Sequence, residues 1–220
     1  MRTKIETTAD GSHTLFVPEL DEHYHSVNGA VQESMHIFIH TGLHHHPERE
    51  LNIFEIGFGT GLNAYLTAID AEQNNRLVRY TSIEAYPVDQ ELASQLNYPS
   101  QAGQRSDLFV SLHAAEWDTP IRINDNFILH KIEADFTKFD FSRIEKIDIV
   151  YFDAFAPEKQ SDMWSQELFD NLYRVMNNGG ILVTYCAKGV VRRMMQQSGF
   201  MVERLPGPPG KREMLRATKT

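Results

Sequence analysis

The sequence predicts an α/β fold in which a mostly parallel sheet of seven strands carries helices on both faces. Apolar, strand-like runs alternate with helix-compatible segments over most of the chain, and this alternation is typical of parallel sheets with crossover helices. In addition, the apolar run at 51–56 leads directly into Gly57, Gly59 and Gly61. Glycines at such a turn let the backbone take positive φ and approach a ligand at a helix N-terminus. These features predict a nucleoside site at the end of the first core strand.

The elements can be placed in order from apolar runs, turn residues and caps. The predicted core strands cover 51–55, 79–84, 121–134, 147–153, 181–185, 200–204 and 213–218, and the third of these is a β-hairpin insertion that turns at 124–126. The predicted helices cover 62–74, a segment starting near 88, a segment from Ser161 or Asp162 to about 176, and 190–198. The Asn-Asn-Gly-Gly sequence at 177–180 is predicted to stop the third helix and to turn into the next strand.

Residues 1–45 are predicted to form an N-terminal appendage that packs on a main domain of residues 46–220. The appendage contains a predicted short strand at 14–18 and a predicted helix at 30–40. No repeat or low-complexity linker divides the chain, so one structural domain is expected overall.

Composition indicates an ordinary soluble globular protein, with 220 residues, 41% hydrophobic and 23% charged. The single cysteine, Cys186, excludes an intrachain disulfide and is read as a small packing residue. No apolar run is long enough for a membrane span, and the N-terminus lacks the apolar core of a signal peptide. A cytoplasmic protein without a membrane partner is therefore expected.

The charge is distributed unevenly. The chain has a net charge of −9, but residues 188–220 carry +6 and the remainder carries −15. An acidic body with a basic C-terminal edge is compatible with RNA binding on one face.

The spacing of the glycines distinguishes two kinds of cofactor. A dinucleotide fingerprint has two residues between its second and third glycines, whereas here only Thr60 separates Gly59 from Gly61. The pattern that starts at Glu55 instead resembles the first motif of Rossmann-like, class I S-adenosylmethionine-dependent methyltransferases. The cofactor-binding candidates are accordingly Glu55, Gly57, Gly59 and Gly61.

Two further acids follow later strands. Glu84 ends the second core strand, where a carboxylate can accept hydrogen bonds from ribose hydroxyls. Asp135 follows the next strand, and the resemblance to class I methyltransferases implies that an acid there contacts the adenine amino group. Glu133 is a close competitor for that role.

Asp153 is the candidate catalytic residue. It stands where the apolar run 147–152 meets Ala-Phe-Ala-Pro. An acid at a buried strand end is costly unless it is paired or used. Phe152 and Phe155 could wall a pocket that stacks a base. The adjacent His44, His45 and His46 cannot all converge on one ion and lack a companion motif, so no metal site is predicted.

The segments around Asp153 carry a more specific resemblance. They are Phe-Asp-Ala-Phe-Ala-Pro-Glu-Lys at 152–159, Asp-Met-Trp at 162–164, Thr-Tyr-Cys-Ala-Lys-Gly at 184–189, Val-Arg-Arg at 191–193 and Gly-Lys-Arg-Glu-Met at 210–214. Together with Tyr-His-Ser at 24–26, Asn-Gly at 28–29 and Gln-Glu-Ser at 32–34, they resemble the methyltransferase half of MnmC, the tRNA 5-methylaminomethyl-2-thiouridine biosynthesis methyltransferases. Gln160-Ser161 and Cys186 depart from that family's pattern, and its often fused flavin-dependent oxidase half is absent from this sequence.

The resemblance implies transfer of a methyl group from S-adenosylmethionine to the amine of 5-aminomethyl-(2-thio)uridine at the tRNA wobble position, without a metal or flavin. Asp153 would lie beside the methyl group and the amine. The implied substrate or RNA contacts are Phe155, Lys188, Arg192, Arg193, Lys211 and Arg212. A separate tRNA-modification oxidase is a possible partner.

Two alternatives remain open at this point. The chain could be a methyltransferase or aminopropyltransferase acting on a small free amine, which the acidic body would suit. It could also be a non-catalytic RNA-binding partner of a tRNA-modification oxidase, although Glu55, the three glycines, Glu84 and Asp153 are all in place.

Overall fold

A computed structural model of the protein describes residues 3–144 and 146–220. Within this part of the chain, an eight-stranded sheet and a three-stranded sheet account for the β-structure. The strands are β1 Lys4–Thr7, β2 His13–Val17, β3 Glu22–His23, β4 Glu50–Ile56, β5 Leu77–Glu84, β6 Ile121–Arg122, β7 Phe127–Glu133, β8 Ile147–Phe152, β9 Met176–Thr184, β10 Met201–Pro206 and β11 Glu213–Thr218.

The α-helices are α1 Ala30–Ser34, α2 Leu62–Gln73, α3 Gln90–Ala93, α4 Tyr98–Gln101, α5 Ser106–Ala114, α6 Gln166–Val175 and α7 Gly189–Ser198. A π-helical segment, Met35–His40, continues α1 directly. No helix in the described ranges combines the length and apolar character that crossing a membrane requires.

The large sheet has the order β10-β11-β9-β8-β4-β5-β7-β6. The five strands from β9 to β7 are parallel, β11 and β10 are antiparallel at one edge, and β6 is antiparallel at the other. The predicted α/β fold with a mostly parallel sheet is confirmed: seven strands form its body and β6 adds a two-residue edge. Because the chain runs from β4 outwards through β5 to β7 and then returns to β8, the strand order reverses between β4 and β8.

Side-chain alternation in the central strands divides the core between the two faces of the sheet. On β4, Ile53 joins one apolar cluster with α2 and α5, whereas Phe54 joins a second cluster with α6 and α7. On β8, Tyr151 and Phe152 divide in the same way. Helices on both faces of the sheet therefore hold the ends of β4 and β8 in fixed positions.

The predicted hairpin at 121–134 exists, but it is not an insertion. Its second arm, β7, pairs in parallel with β5 along seven residues and is a main-sheet strand. Only its two-residue first arm, β6, lies outside the parallel part. Between β5 and β6, where one helix near 88 was predicted, the structure has α3, α4 and α5.

Two predicted boundaries around α6 were wrong. Ser161–Met163 is a separate 3-10 turn, and α6 is capped by Ser165, whose hydroxyl accepts a hydrogen bond from the Leu168 amide at 3.3 Å. Residues 177–180 do not form a loop before the next strand, because β9 begins at Met176, opposite Ile147. They form an irregularity between this pair and the next one, Ile149 with Ile181.

The N-terminal segment packs closely on the rest of the chain. Leu15, Ile37 and Phe38 belong to the same apolar cluster as α2 and α5. The predicted strand at 14–18 is β2, which also pairs with β1 and β3, and the predicted helix at 30–40 comprises α1 and the π-helical segment. The division at residue 45 into an appendage and a main domain stays a prediction.

Candidate active site

The glycine loop joins β4 to α2 at the carboxyl edge of the sheet. Gly57, Gly59 and Gly61 have φ of 93°, 49° and 72°, a region that side chains with a Cβ rarely adopt. A Cβ at Gly57 would lie 3.1 Å from the carbonyl oxygen of Asp153, and one at Gly59 would lie 2.9 Å from Cδ1 of Tyr24. The loop therefore needs glycine both for its backbone conformation and for the close approach of its neighbours.

A cavity of about 940 Å³ opens beside this loop, at the point where the strand order reverses. Its lining includes residues from the ends of β4, β5, β7 and β8, from the N-terminal segment and from the β10–β11 turn. Among the sequence-predicted residues, those that line it are Gly57, Gly59, Glu84, Asp135, Asp153, Phe155 and Lys211. Gly61 does not line it, since it is the N-cap residue of α2 and faces His113.

Glu84 connects the second core strand to the glycine loop. Its Oε2 accepts a hydrogen bond from the Gly59 amide at 3.0 Å, and its Oε1 accepts one from the Tyr86 amide at 2.9 Å. Burial raises the pKa of this carboxyl group, while backbone donors from Tyr86, Gly59 and Ala85 lower it. Each carboxylate oxygen has capacity for a further donor, so Glu84 can hold the loop and receive a ligand at the same time.

Asp135 caps the 3-10 turn Phe136–Lys138. Its Oδ1 accepts hydrogen bonds from the Thr137 amide at 3.0 Å and the Thr137 hydroxyl at 2.6 Å, and its Oδ2 lies 3.1 Å from the Lys138 ammonium. The Thr137 hydroxyl contributes most to lowering the pKa of Asp135. The carboxylate is ionised and lines the cavity, and it is held in place by its bonds to Thr137 and Lys138. Glu133 lines the same wall.

Glu55 lies behind the cavity wall instead of in it. Its side chain is 1% exposed and accepts hydrogen bonds from the Ser82 hydroxyl at 2.7 Å and from Asn63 Nδ2 at 3.1 Å. Burial raises the pKa of Glu55 to about 8, against the opposing effect of Ser82. The described geometry gives Glu55 a supporting position behind the cavity lining, and its assignment as a cofactor-binding residue stays a prediction.

Asn63 connects this buried acid to Asp153. The same Nδ2 that reaches Glu55 also donates to Asp153 Oδ2 at 2.8 Å. Asn63 is in the first turn of α2, directly after the glycine loop. The sequence analysis missed this residue; the available signal was a polar side chain two positions after Gly61, between Leu62 and Ala64 in the first turn of the helix.

Asp153 lies at the end of β8, beside the glycine loop. Its amide donates to the Ile56 carbonyl at 3.1 Å, which ties the ends of β8 and β4 together. Burial raises the pKa of Asp153 to about 7, and the nearby Glu33 charge adds to this effect. The Asn63 hydrogen bond and the Lys211 charge act in the opposite direction. A carboxylate with a pKa near neutrality can accept and return a proton under ordinary conditions.

The aromatic prediction around Asp153 was half right. Phe155 lines the cavity and meets Tyr24 edge to face, with ring centroids 5.1 Å apart. Phe152 does not line it: this side chain is fully buried and packs against Trp164 and Phe169 on the other side. Because Phe152 belongs to the strand and Phe155 to the loop, only the second is free to face a ligand.

The N-terminal segment supplies part of the cavity wall, which the sequence analysis did not foresee. Tyr24, His25 and Glu33 line the cavity, and His25 Nε2 lies 2.7 Å from the hydroxyl of Thr60 in the glycine loop. Burial lowers the pKa of His25 to about 4, so this imidazole is neutral at pH 7. The segment therefore covers the glycine loop with uncharged contacts and contributes two acids to the cavity lining, Glu22 and Glu33.

Most of the predicted RNA-contacting cations lie outside the cavity. Lys188 is the N-cap residue of α7 and pairs with Glu158, while Arg192 and Arg193 follow on that helix. Arg212 is exposed beside Lys211 on the β10–β11 turn. Of the six predicted substrate and RNA contacts, two line the cavity: Phe155 and Lys211.

The structure shows which partners the side chains of His44 and His46 have. His44 Nε2 lies 2.5 Å from Asp70 Oδ2, and the His46 ring nitrogen accepts a bond from the Glu48 amide. The described residues contain no group of three or more His, Cys, Asp or Glu arranged to hold a metal ion.

Cys186 is buried, and burial raises the pKa of its thiol, as for a packing residue.

Solved structures with the same fold include two proteins that match nearly the whole chain. MnmC2 from Aquifex aeolicus superimposes with a TM-score of 0.82 at 23% identity, covering 100% of this chain and 70% of that one. Spermidine synthase from Thermotoga maritima superimposes with a TM-score of 0.61 at 10% identity, covering 99% and 72%. At these identities the matches establish the fold, and they confirm the architecture that the MnmC-like motifs implied.

A sequence family described as S-adenosyl-L-methionine-dependent methyltransferase matches residues 111–220, which is half of the chain. The matched region includes β7 and the following Asp135, β8 and the following Asp153, and the β10–β11 turn with Lys211. The protein belongs to the family of S-adenosyl-L-methionine-dependent methyltransferases.

Proposed function

We propose that this methyltransferase transfers a methyl group to the aminomethyl nitrogen of 5-aminomethyl-(2-thio)uridine at the tRNA wobble position. The observation that carries the proposal is the position of Asp153 beside the glycine loop, in one cavity with Phe155 and an acidic wall. Most of the MnmC-like motifs, including those at 24–26, 152–159 and 210–214, supply residues to the cavity lining, and the fold is shared with MnmC2 from Aquifex aeolicus.

The residues present suit S-adenosylmethionine. Gly57 and Gly59 line the cavity in a positive-φ backbone conformation, and Glu84 ends the second strand with spare acceptor capacity. Glu133 or Asp135 would hold the adenine end, and Glu55 would support the site from behind through Asn63. S-adenosylmethionine, when bound, supplies a methyl group activated by a sulfonium centre.

Asp153 then has a defined task. A primary alkylamine resembles lysine, with a pKa of about 10.4, so at neutral pH it arrives as an ammonium ion without a free lone pair. Asp153 accepts a hydrogen bond from this group, orients it and takes up the proton that must leave. Its pKa of about 7 keeps a substantial fraction ionised at neutral pH. A positioned base contributes about 10²–10⁴-fold to rate, and orientation contributes further.

The acceptor side of the cavity suits a modified uridine. Phe155 and Tyr24 offer an aromatic wall against which a base can pack, and Tyr86, which is 62% exposed, stands at the rim. Arg212, next to Lys211 on the β10–β11 turn, and Lys188, Arg192 and Arg193 on α7 would meet phosphates outside the cavity. A separate oxidase that works with this enzyme belongs to the same proposal.

One alternative has specific support. The cavity is lined by several acids, among them Glu22, Glu33, Glu84 and Asp162, and an acidic cavity also suits a small free polyamine. In that case the reaction would be methyl or aminopropyl transfer to a free amine. The spermidine synthase match concerns the fold and does not favour either substrate.

The decisive experiment incubates the protein with S-adenosylmethionine and tRNA that carries 5-aminomethyluridine, followed by nucleoside mass analysis. We expect the wobble nucleoside to gain one methyl group, and the Asp153→Asn protein to serve as the inactive control. Methylation of putrescine or spermidine but not of the tRNA would replace the proposal with the alternative. Calorimetry with S-adenosylmethionine, run in parallel, separates failure of cofactor binding from failure to accept the tRNA.

A further inference from the structure

A lysine ammonium lies inside the cavity, on a site that is built to hold a cation. Lys211 Nζ is 2.8 Å from Glu33 Oε1 and 3.9 Å from the centroid of the Tyr185 ring. All three residues line the same cavity as Asp153. A carboxylate on one side and an aromatic face on the other recognise an ammonium group by an ion pair and a cation–π contact.

Glu33 and Tyr185, the two groups that contact the ammonium, are held in place by bonds that do not involve Lys211. The Glu33 side chain is only 9% exposed, and its Oε2 accepts a hydrogen bond from the Ser26 amide at 2.8 Å. The Tyr185 hydroxyl donates to the Ala154 carbonyl at 2.8 Å, next to Asp153 in the chain. Both groups would therefore keep their positions if Lys211 moved away.

Lys211, by contrast, is placed to leave. It lies on the turn between β10 and β11, and 31% of its side chain is exposed. Its contacts are made by the terminal ammonium, whereas the backbone of the turn is held by other bonds, from the Lys211 amide to Pro208 and from Gly207 to Arg212. Rotation of the side chain towards solvent does not require the turn to unfold.

The site is also next to the proposed base. The Glu33 charge raises the pKa of Asp153 and the Lys211 charge lowers it, which places the three groups within mutual electrostatic reach. An ammonium bound between Tyr185 and Glu33 would enter the cavity close to the carboxylate that is to take its proton. The lysine ammonium and the aminomethyl group of the proposed substrate are chemically alike, since each is a primary alkylammonium.

We infer that Tyr185 and Glu33 form the subsite for the acceptor's ammonium group, and that Lys211 occupies this subsite in the free protein and yields it when the substrate enters. The inference rests on the proposed function and specifies how its substrate class is selected. Lys211 acts as an internal stand-in that neutralises Glu33 until a substrate with its own ammonium replaces it. A neutral nucleoside cannot make this exchange, because it would leave Glu33 without a cation.

The test measures binding and not turnover. The protein is saturated with S-adenosylhomocysteine at about pH 8, where an amine with a pKa of about 10.4 remains an ammonium ion. Calorimetry then compares 5-aminomethyluridine with neutral 5-methyluridine. Lys211→Met is expected to tighten 5-aminomethyluridine by about tenfold if the subsite is free about a tenth of the time in the wild type, and to leave 5-methyluridine unchanged.

Three further variants make the result specific. Lys211→Arg keeps a cation on Glu33 and should bind the aminomethyl nucleoside within about threefold of wild type. Glu33→Gln and Tyr185→Leu should each weaken that nucleoside while S-adenosylhomocysteine affinity, the check on folding, is kept. Lys4→Met removes the same charge from the exposed face of β1, outside the cavity lining, and should change neither ligand.

An equal or weaker affinity of Lys211→Met for 5-aminomethyluridine overturns the inference, as does an equal gain for 5-methyluridine. Undetectable binding of 5-aminomethyluridine to both wild type and Lys211→Met counts against it as well. The proposed function is judged separately, by methylation of tRNA by the wild-type enzyme. Methylated tRNA with unchanged nucleoside affinity would leave the function standing and remove only the subsite.

Discussion

Replacing Asn63 by leucine removes a donor to Asp153 and should move the pH dependence of methyl transfer to higher pH. Asn63 Nδ2 donates to Asp153 Oδ2 at 2.8 Å, and this bond favours the ionised carboxylate. Leucine matches the shape of asparagine and suits the first turn of α2. With the donor gone, Asp153 should hold its proton more strongly.

The size of the shift follows from the hydrogen bond. A hydrogen bond to a charged group contributes about 1.5–3 kcal/mol, and one pKa unit corresponds to about 1.36 kcal/mol. The pKa of Asp153, about 7 in the wild type, should therefore rise by about 1 to 2 units. Single-turnover rates with saturating substrate, measured from about pH 5.5 to 9.5, should show the acid limb displaced by that amount.

Ser82→Ala is the matched control. Asn63 also donates to the buried acid Glu55, and the Ser82 hydroxyl donates to Glu55 Oε2 at 2.7 Å. Loss of the Ser82 hydroxyl therefore removes a hydrogen bond to Glu55 and none to Asp153. We expect its acid limb to stay within about half a pH unit of wild type. The reasoning is refuted if Asn63→Leu keeps the wild-type limb, or if Ser82→Ala shifts it equally far.

Three further predictions follow from the same site. Asp153→Asn should lower the single-turnover rate of methyl transfer by about 10²–10⁴-fold, while the calorimetric Kd for S-adenosylmethionine stays within about threefold of wild type. If the rate and the affinity for S-adenosylmethionine fall by similar factors, Asp153 is a structural residue. Glu84→Gln should weaken S-adenosylmethionine by about tenfold or more, because the ribose loses a charged acceptor, and an unchanged Kd would remove Glu84 from the cofactor site. Glu55 has its pKa raised to about 8, so the folded state holds this proton more tightly than the unfolded chain, and the free energy of unfolding should fall as pH rises from about 4.5 to about 8. In urea titrations across that range, Glu55→Gln should flatten the fall by at most about 5 kcal/mol, and an identical slope in both proteins would contradict the raised pKa.

Much of the sheet could be predicted because its signals are local. The apolar run of β4, the glycines at 57, 59 and 61 and the helix pattern of α2 are consecutive, so their order alone indicated a strand, a turn and a helix. The apolar run of β8 and the acid that ends it were equally visible. Helix starts were harder, since Ser161, Asp162 and Ser165 are all good caps and only the packed structure selects Ser165.

The site was predicted where the strand ends supply it and missed where distant segments meet. Glycine spacing and strand-end acids marked Gly57, Gly59, Glu84, Asp135 and Asp153 from the sequence, and all of them line one cavity. Whether a strand-end side chain faces that cavity is a different matter. The side chains of Phe152 and Glu55 are buried in the packed interior. Their direction depends on the alternation of side chains between the two faces of the sheet, each of which is covered by helices.

The sequence by itself determined the fold class, the cofactor family and the strand that carries the proposed base, because each is encoded in a short contiguous pattern. Only the tertiary structure decided that Asn63 donates to Asp153, that the N-terminal segment covers the glycine loop, and that Lys211 pairs with Glu33 over Tyr185. These contacts join residues far apart in the chain, and no local periodicity records them. They depend on burial, which makes paired charges and hydrogen bonds obligatory once the segments pack together.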